Sequence, residues 1–158
     1  MRSTSEGSER FTLDTNLLVY SLEGRAGVRH RLALEIVDRA ADAECWLTLQ
    51  SLSEFYAAVT RKRILRAPDA AAQVIDWMTI FHCVPASPGA LRTALAEAVA
   101  GRASYWDALL VATAAEAGCA VILTEDLAHG STLGGVAIHN PFTRGGGLTA
   151  RARRLLDL

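Results

Sequence analysis

The chain predicts an α/β domain with a parallel sheet covered by helices on both faces. Three observations support this. Apolar segments of strand length alternate with helical patterns from residue 11 to residue 139. The strand segments are continuous apolar runs, as expected of strands buried on two sides. A length of 158 residues fits one domain with a substantial core.

The elements follow in order. Residues 11–14, Phe-Thr-Leu-Asp, read as a short first strand. Residues 16–22 read as a helix ended near Gly24. Leu32, Ile36, Val37 and Ala40 recur at helical spacing and predict a second helix over about 30–41. Residues 45–49 are a compact apolar strand. Ser51 opens a helix with Leu52, Phe55, Tyr56 and Val59 on one face. Pro68 suits a first helical position, and Ala71, Val74, Ile75 and Met78 continue that helix. Residues 82–85 are a third strand. Ser87-Pro88 start a helix with Leu91, Ala94, Leu95, Ala98 and Val99 inward, stopped by Gly101. Ser104 starts the next helix, which runs to Gly118. Strands over 119–123 and 136–139 complete the pattern.

Residues 1–10 are polar and charged, with no apolar stretch of the secretory kind, and read as a loose tail. Residues 11–142 form the domain. Residues 143–158 read as a flexible Gly145-Gly146-Gly147 link and a short basic tail with Arg151, Arg153 and Arg154. A hydrophobic share of 51% excludes a disordered chain. The apolar runs are far too short to cross a membrane. Cys45, Cys83 and Cys119 are scattered and odd in number, which argues against a disulfide framework or zinc site. Buried thiols in a reducing cytoplasm are the expectation. A net charge of −1 leaves any polyanion to metal ions and a local basic patch.

Four acids stand beside apolar segments. Asp14 ends the first strand, Glu54 lies in Ser-Glu-Phe-Tyr, Asp107 in Tyr-Trp-Asp-Ala, and Asp126 follows Ala-Val-Ile-Leu. Each has a structural reading as well. Ser51-x-x-Glu54 matches a capping box, and Ser104-x-x-Asp107 is similar. Asp14 suits an N-cap and Asp126 a turn. Two points favour function. Asp107 heads the apolar stripe Leu110, Val111 and Ala114, where a carboxylate is costly unless paired or bound to a cation. In a parallel sheet, ligands gather beyond the carboxyl ends of strands at a switch point, so the acids converge. Two carboxylates about 5 Å apart repel by roughly 3 kcal/mol at an effective dielectric near 20. A hard divalent cation such as Mg²⁺ or Mn²⁺ removes that conflict.

In Leu13-Asp14-Thr15-Asn16, Ser53-Glu54-Phe55, Tyr105-Trp106-Asp107-Ala108 and Leu123-Thr124-Glu125-Asp126-Leu127, the chain resembles the PIN-domain ribonucleases. It resembles in particular the VapC-type toxins of bacterial toxin–antitoxin pairs. His129-Gly130 and Asn140-Pro141-Phe142 also match one branch. The resemblance spans roughly residues 11–142. It implies a three-layer α/β/α fold with sheet order 3-2-1-4-5. It also implies a metal-dependent endoribonuclease that uses Mg²⁺ (or Mn²⁺) and acts on single-stranded or structured RNA. By that resemblance Asp14 and Asp107 would be the central ligands. Glu54 would bind directly or through water, and Asp126 would support the cluster or a second metal. Asn16 and Thr124 would hold carboxylates or waters in place. A neutralising antitoxin and a homodimer are implied as well. The alternative is a catalytically inactive PIN-like scaffold.

Among the basic residues, Arg61 lies two turns after Glu54 and so on the same helix face, within the run Arg61, Lys62, Arg63 and Arg66. It is the first candidate for an RNA phosphate, with Arg102 a weaker one. The other reading of the run is a solvated helix end. Trp46 and Trp77 read as core. Trp106, beside Asp107, is open to a stacking role. No histidine has ligand spacing with another. A phosphoacceptor receiver domain would need a lysine after its last strands, and the only lysine is Lys62.

Overall fold

The computed structural model describes residues 8–158 apart from positions 129 and 131. His129 therefore lies outside the described residues, as do residues 1–7 of the expected N-terminal tail. The elements in chain order are β1 (Phe11–Leu13), α1 (Thr15–Leu22), a 3-10 turn (Gly24–Ala26), α2 (Val28–Ala40), β2 (Trp46–Thr48) and α3 (Leu49–Arg61). There follow α4 (Ala67–Ile80), β3 (His82–Val84), α5 (Pro88–Val99), α6 (Tyr105–Glu116) and β4 (Val121–Leu123). The last are β5 (Thr132–Leu133), β6 (Val136–His139) and α7 (Ala150–Leu155).

Two sets of paired strands form the sheet. One has the order β1-β4-β6-β5 and the other pairs β2 with β3. A parallel bridge from Phe11 to Cys45, with the Phe11 N–H donating to the Glu44 carbonyl over 2.9 Å, joins them along β1. The pairs β1–β4, β2–β3 and β4–β6 are parallel. Without the short antiparallel β5, the order is the expected 3-2-1-4-5. The chain order reverses between β1 and β4. That is the switch point at which an open α/β sheet forms its crevice.

Alternate side chains of the strands enter opposite cores, which makes three layers. Val121 and Leu123 of β4 join the larger core with α1, α2, α3, α4 and α7. Ile122 between them joins Leu110, Val111 and Ala114 of α6 on the other face, with Val136 and Ile138 of β6. Helix α5 packs outside α6 through Ala90 and Ala94. No helix among the described residues is long and apolar enough to cross a membrane.

Three expectations change. Leu91, Leu95 and Val99 were expected inward, yet all three are exposed and the small Ala90 and Ala94 face α6 instead. Alanine lets the two helices approach closely, so the apolar period of α5 is offset from its buried face. Helix α3 begins at Leu49, not Ser51, because Thr48 is its N-cap and accepts the Ser51 N–H over 3.1 Å. Ser51-x-x-Glu54 is therefore no capping box. Finally, residues 143–158 are not a separate link and tail. Leu148, Ala152, Leu155 and Leu156 belong to the main core. The glycine run is a turn closed by the Thr143 N–H to Gly147 carbonyl bond of 2.8 Å, and Gly146 takes a φ of +81° there. An apolar stripe in a six-residue helix is too short to stand out in sequence.

Candidate active site

Asp14 follows β1 directly and caps α1. Its N–H donates to the Leu123 carbonyl of β4 at 3.0 Å, which locks the end of β1 to the end of β4. Its Oδ1 accepts the Thr15 N–H at 2.7 Å and its Oδ2 the Thr124 hydroxyl at 2.7 Å. Thr124 is fully buried at the matching position past β4. The same hydroxyl accepts the Asp126 N–H at 3.1 Å and the Asn16 side-chain amide at 3.3 Å. One oxygen thus ties two acids and Asn16 together. Asn16 also reaches Asp14 Oδ2 at 3.5 Å. Its own Oδ1 is buried without a hydrogen-bond partner.

Glu54 lies in the second turn of α3, just past β2. Its Oε2 accepts from the Thr15 hydroxyl at 3.1 Å and its Oε1 from Gln50 Nε2 at 3.1 Å. Gln50 Nε2 also donates to the Trp106 carbonyl at 2.9 Å, which ties α3 to the first turn of α6. Asp107 stands in that turn, and the Ser104 side chain caps the helix by accepting the Asp107 N–H at 3.2 Å. The capping expectation at Ser104 is therefore met, and it leaves the Asp107 carboxylate free of the cap.

Asp14, Glu54, Asp107 and Asp126 line one cleft of about 480 Å³, with Asn16, Thr15, Arg61 and a fifth acid, Glu23, that the sequence reading did not single out. Arg61 and Lys62, from the end of α3, stand on the same cleft wall. Arg102 does not line it. Its guanidinium makes two 2.9 Å bonds to Glu97 on the exposed surface. Sequence reading passed over Thr15 and Gln50 as holders of Glu54. Thr15 sits inside the quoted Asp-Thr-Asn motif, and Gln50 precedes Glu54 by four residues, the spacing of neighbours on a helix.

The electrostatics are those of uncompensated acid. Among the described residues no ion pair involves any of the four carboxylates. Burial raises the pKa of Asp14, which is 8% exposed, and the charges of Asp126 and Glu54 add to the rise. The bonds from Thr124 and Thr15 oppose it. Among the described residues no three acidic, histidine or cysteine side chains stand close enough to form a ready-made chelating group. The donor set nonetheless fits a hard cation that keeps much of its water and needs only one or two carboxylates. The four acids offer oxygen only, and the orphaned Asn16 Oδ1 is a further acceptor of the kind that bound water fills.

The Asp14 carboxyl binds its proton more tightly in the fold than in the unfolded chain. Its contribution to stability is full below the ordinary value of 3.8 and is lost as pH rises through the folded value. Asp14→Asn removes that dependence. In chelator, denaturation should show the variant's stability relative to wild type to be more favourable at pH 7 than at pH 4. The opposite trend would contradict the burial argument.

Tyr20 also lines the cleft. The Tyr20 hydroxyl donates to Glu125 at 2.8 Å, and Arg29 pairs with Glu125 at 2.7 Å while lying over the Phe142 ring. Burial, then the Glu125 bond, pushes the Tyr20 pKa up to about 12. Trp77 is buried against Phe55, and Trp46 is stacked between Arg10 and His82.

The model of the PIN domain family matches residues 11–130. Among solved structures, the Mycobacterium tuberculosis toxin VapC20, described as cleaving the sarcin-ricin loop, is 20% identical with a TM-score of 0.59. That match covers 73% of this chain and 89% of the toxin. DNA-bound VapBC from Salmonella typhimurium is 18% identical at a TM-score of 0.55, covering 83% of this chain and 97% of the other. VapBC2 from Rickettsia felis, bound to a promoter DNA fragment, is 13% identical at 0.59, covering 82% and 97%. These likenesses establish a shared fold. No curated protein matches the chain. With the family model covering most of its length, and with acids from β1, α3, α6 and the end of β4 on one cleft, the chain belongs to the PIN domain family.

Proposed function

We propose that this PIN domain is an endoribonuclease that hydrolyses RNA phosphodiester bonds, with Mg²⁺ or Mn²⁺ held by Asp14, Glu54, Asp107 and Asp126. The observation that carries this reading is a cleft shared by five carboxylates, these four and Glu23, that have no ion-pair partner among the described residues. When bound, a divalent cation would lower the pKa of a water and offset charge on the phosphate. The chain's own groups do the rest. Thr124 and Asn16 hold Asp14, while Thr15 and Gln50 hold Glu54, so the carboxylates are placed before substrate arrives. Arg61 and Lys62 supply the positive charge that draws an RNA backbone towards an otherwise acidic cleft.

In this reading the protein is the toxin of a toxin–antitoxin pair and works in the cytoplasm. Its partners would be RNA, a small antitoxin and a second copy of itself. The exposed Leu91, Leu95 and Val99, one turn apart on α5, offer an apolar face for such a dimer. One observation favours the alternative of an inactive scaffold: no three ligating side chains among the described residues are already clustered. Incubating the purified protein with total RNA and Mn²⁺ or Mg²⁺, beside a chelator control, tests the choice. Cleavage that needs the cation is expected. Intact RNA with either cation would favour the scaffold.

A further inference from the structure

We propose that Trp106 and the apolar groove beside it hold an unpaired nucleobase next to the scissile phosphate. This rests on the ribonuclease reading and adds to it a side chain that contacts the base.

Trp106 is 60% exposed, although indole is a large apolar surface to leave in water. The other two tryptophans are covered by Phe55 or by Arg10 and His82. The ring is braced rather than loose. Tyr105 meets it edge-to-face, with centroids 4.9 Å apart at 71°, and Gln50 holds the Trp106 carbonyl. It borders a groove of about 560 Å³ lined also by Leu49, Ala86 and Leu109. That groove and the acidic cleft share Glu54 and Ala57, so they adjoin along α3. The two match the two halves of a nucleotide. The cleft, with Arg61 and Lys62 on its wall, suits the phosphate. The groove, with its aromatic edge, suits the base. A base stacked in a duplex cannot present its face to an indole, whereas an unpaired one can. Stacking of this kind accepts any base, so it selects for strandedness over sequence.

The test measures RNA affinity without turnover. In an Asp14→Asn background, fluorescence anisotropy would follow a labelled hairpin with an unpaired loop and a blunt duplex of the same length. Trp106→Ala should weaken hairpin binding about tenfold and leave duplex binding unchanged, while Trp106→Phe restores most of the affinity. Because the ring is exposed and the Gln50 bond is to main chain, melting temperatures should match. Unchanged hairpin affinity in Trp106→Ala would overturn the proposal and leave the groove to an apolar side chain of a protein partner. Equal losses for hairpin and duplex would overturn it too. Trp106-dependent hairpin binding, when the protein with Asp14 intact cleaves no RNA with Mn²⁺ or Mg²⁺, would sustain the stacking site and sink the ribonuclease reading instead. Failure to bind either RNA would overturn both.

Discussion

Asp14→Asn and Asp107→Asn should each lower RNA cleavage at least about a hundredfold while leaving the protein folded. The reasoning starts from charge. Each substitution keeps the size of the side chain and removes one negative charge from a cleft where five carboxylates lack ion-pair partners among the described residues. If those charges hold a cation, its stabilisation of the transition state is worth several kcal/mol. Losing about 3 kcal/mol of it corresponds to about two orders of magnitude in rate. Asp14 carries the larger risk of a structural effect, because it also caps α1 and accepts from Thr124. Asp107 is the cleaner probe. Its backbone N–H, not its carboxylate, meets the Ser104 cap. Rates near wild type in Asp107→Asn, measured with saturating Mn²⁺, would remove that residue from the chemistry.

Leu156→Ala should destabilise the protein by about 2–5 kcal/mol, the range for emptying a buried leucine site. Leu156 is 2% exposed and belongs to the main core with Leu148, Ala152 and Leu155. The segment is tied down on both sides. The Thr149 N–H donates to the Pro141 carbonyl at 2.9 Å, and the Thr149 side chain caps α7 through the Ala152 N–H at 3.2 Å. A loss of this size is a large fraction of a domain's total stability. Ile75→Ala, at a site 62% exposed and outside the proposed dimer face, is the control and should change stability little. Urea unfolding of both variants would decide. A Leu156→Ala midpoint equal to that of wild type would mean the C-terminal segment is not part of the cooperative core.

Sequence and structure agree where one physical signal dominates. The runs at 121–123 and 136–139 are apolar enough to announce buried strands, and the caps Ser87 and Ser104 sit where helices α5 and α6 begin. The convergence of Asp14, Glu54 and Asp126 was legible because Asp14 and Asp126 come just after β1 and β4 and Glu54 lies in the helix that leaves β2. The rest was hidden for specific reasons. Thr48 and Ser51 are both good caps three residues apart, and only the position of β2 decides between them. The inward face of α5 is made of alanines, which carry almost no periodic signal against leucines. β5 is two residues long and exists only through its antiparallel pairing with β6. Gln50 gains its role from the approach of α6, a long-range contact that no local pattern encodes.

The decisive measurement is calorimetric titration of Mn²⁺ into the wild-type protein and into the Asn or Gln variants of Asp14, Glu54, Asp107 and Asp126. Binding in the wild type that weakens in all four variants, most strongly at Asp14 and Asp107, is the result expected if these side chains serve one ion-dependent centre. Mn²⁺ affinity that stays the same whichever acid is neutralised would contradict it.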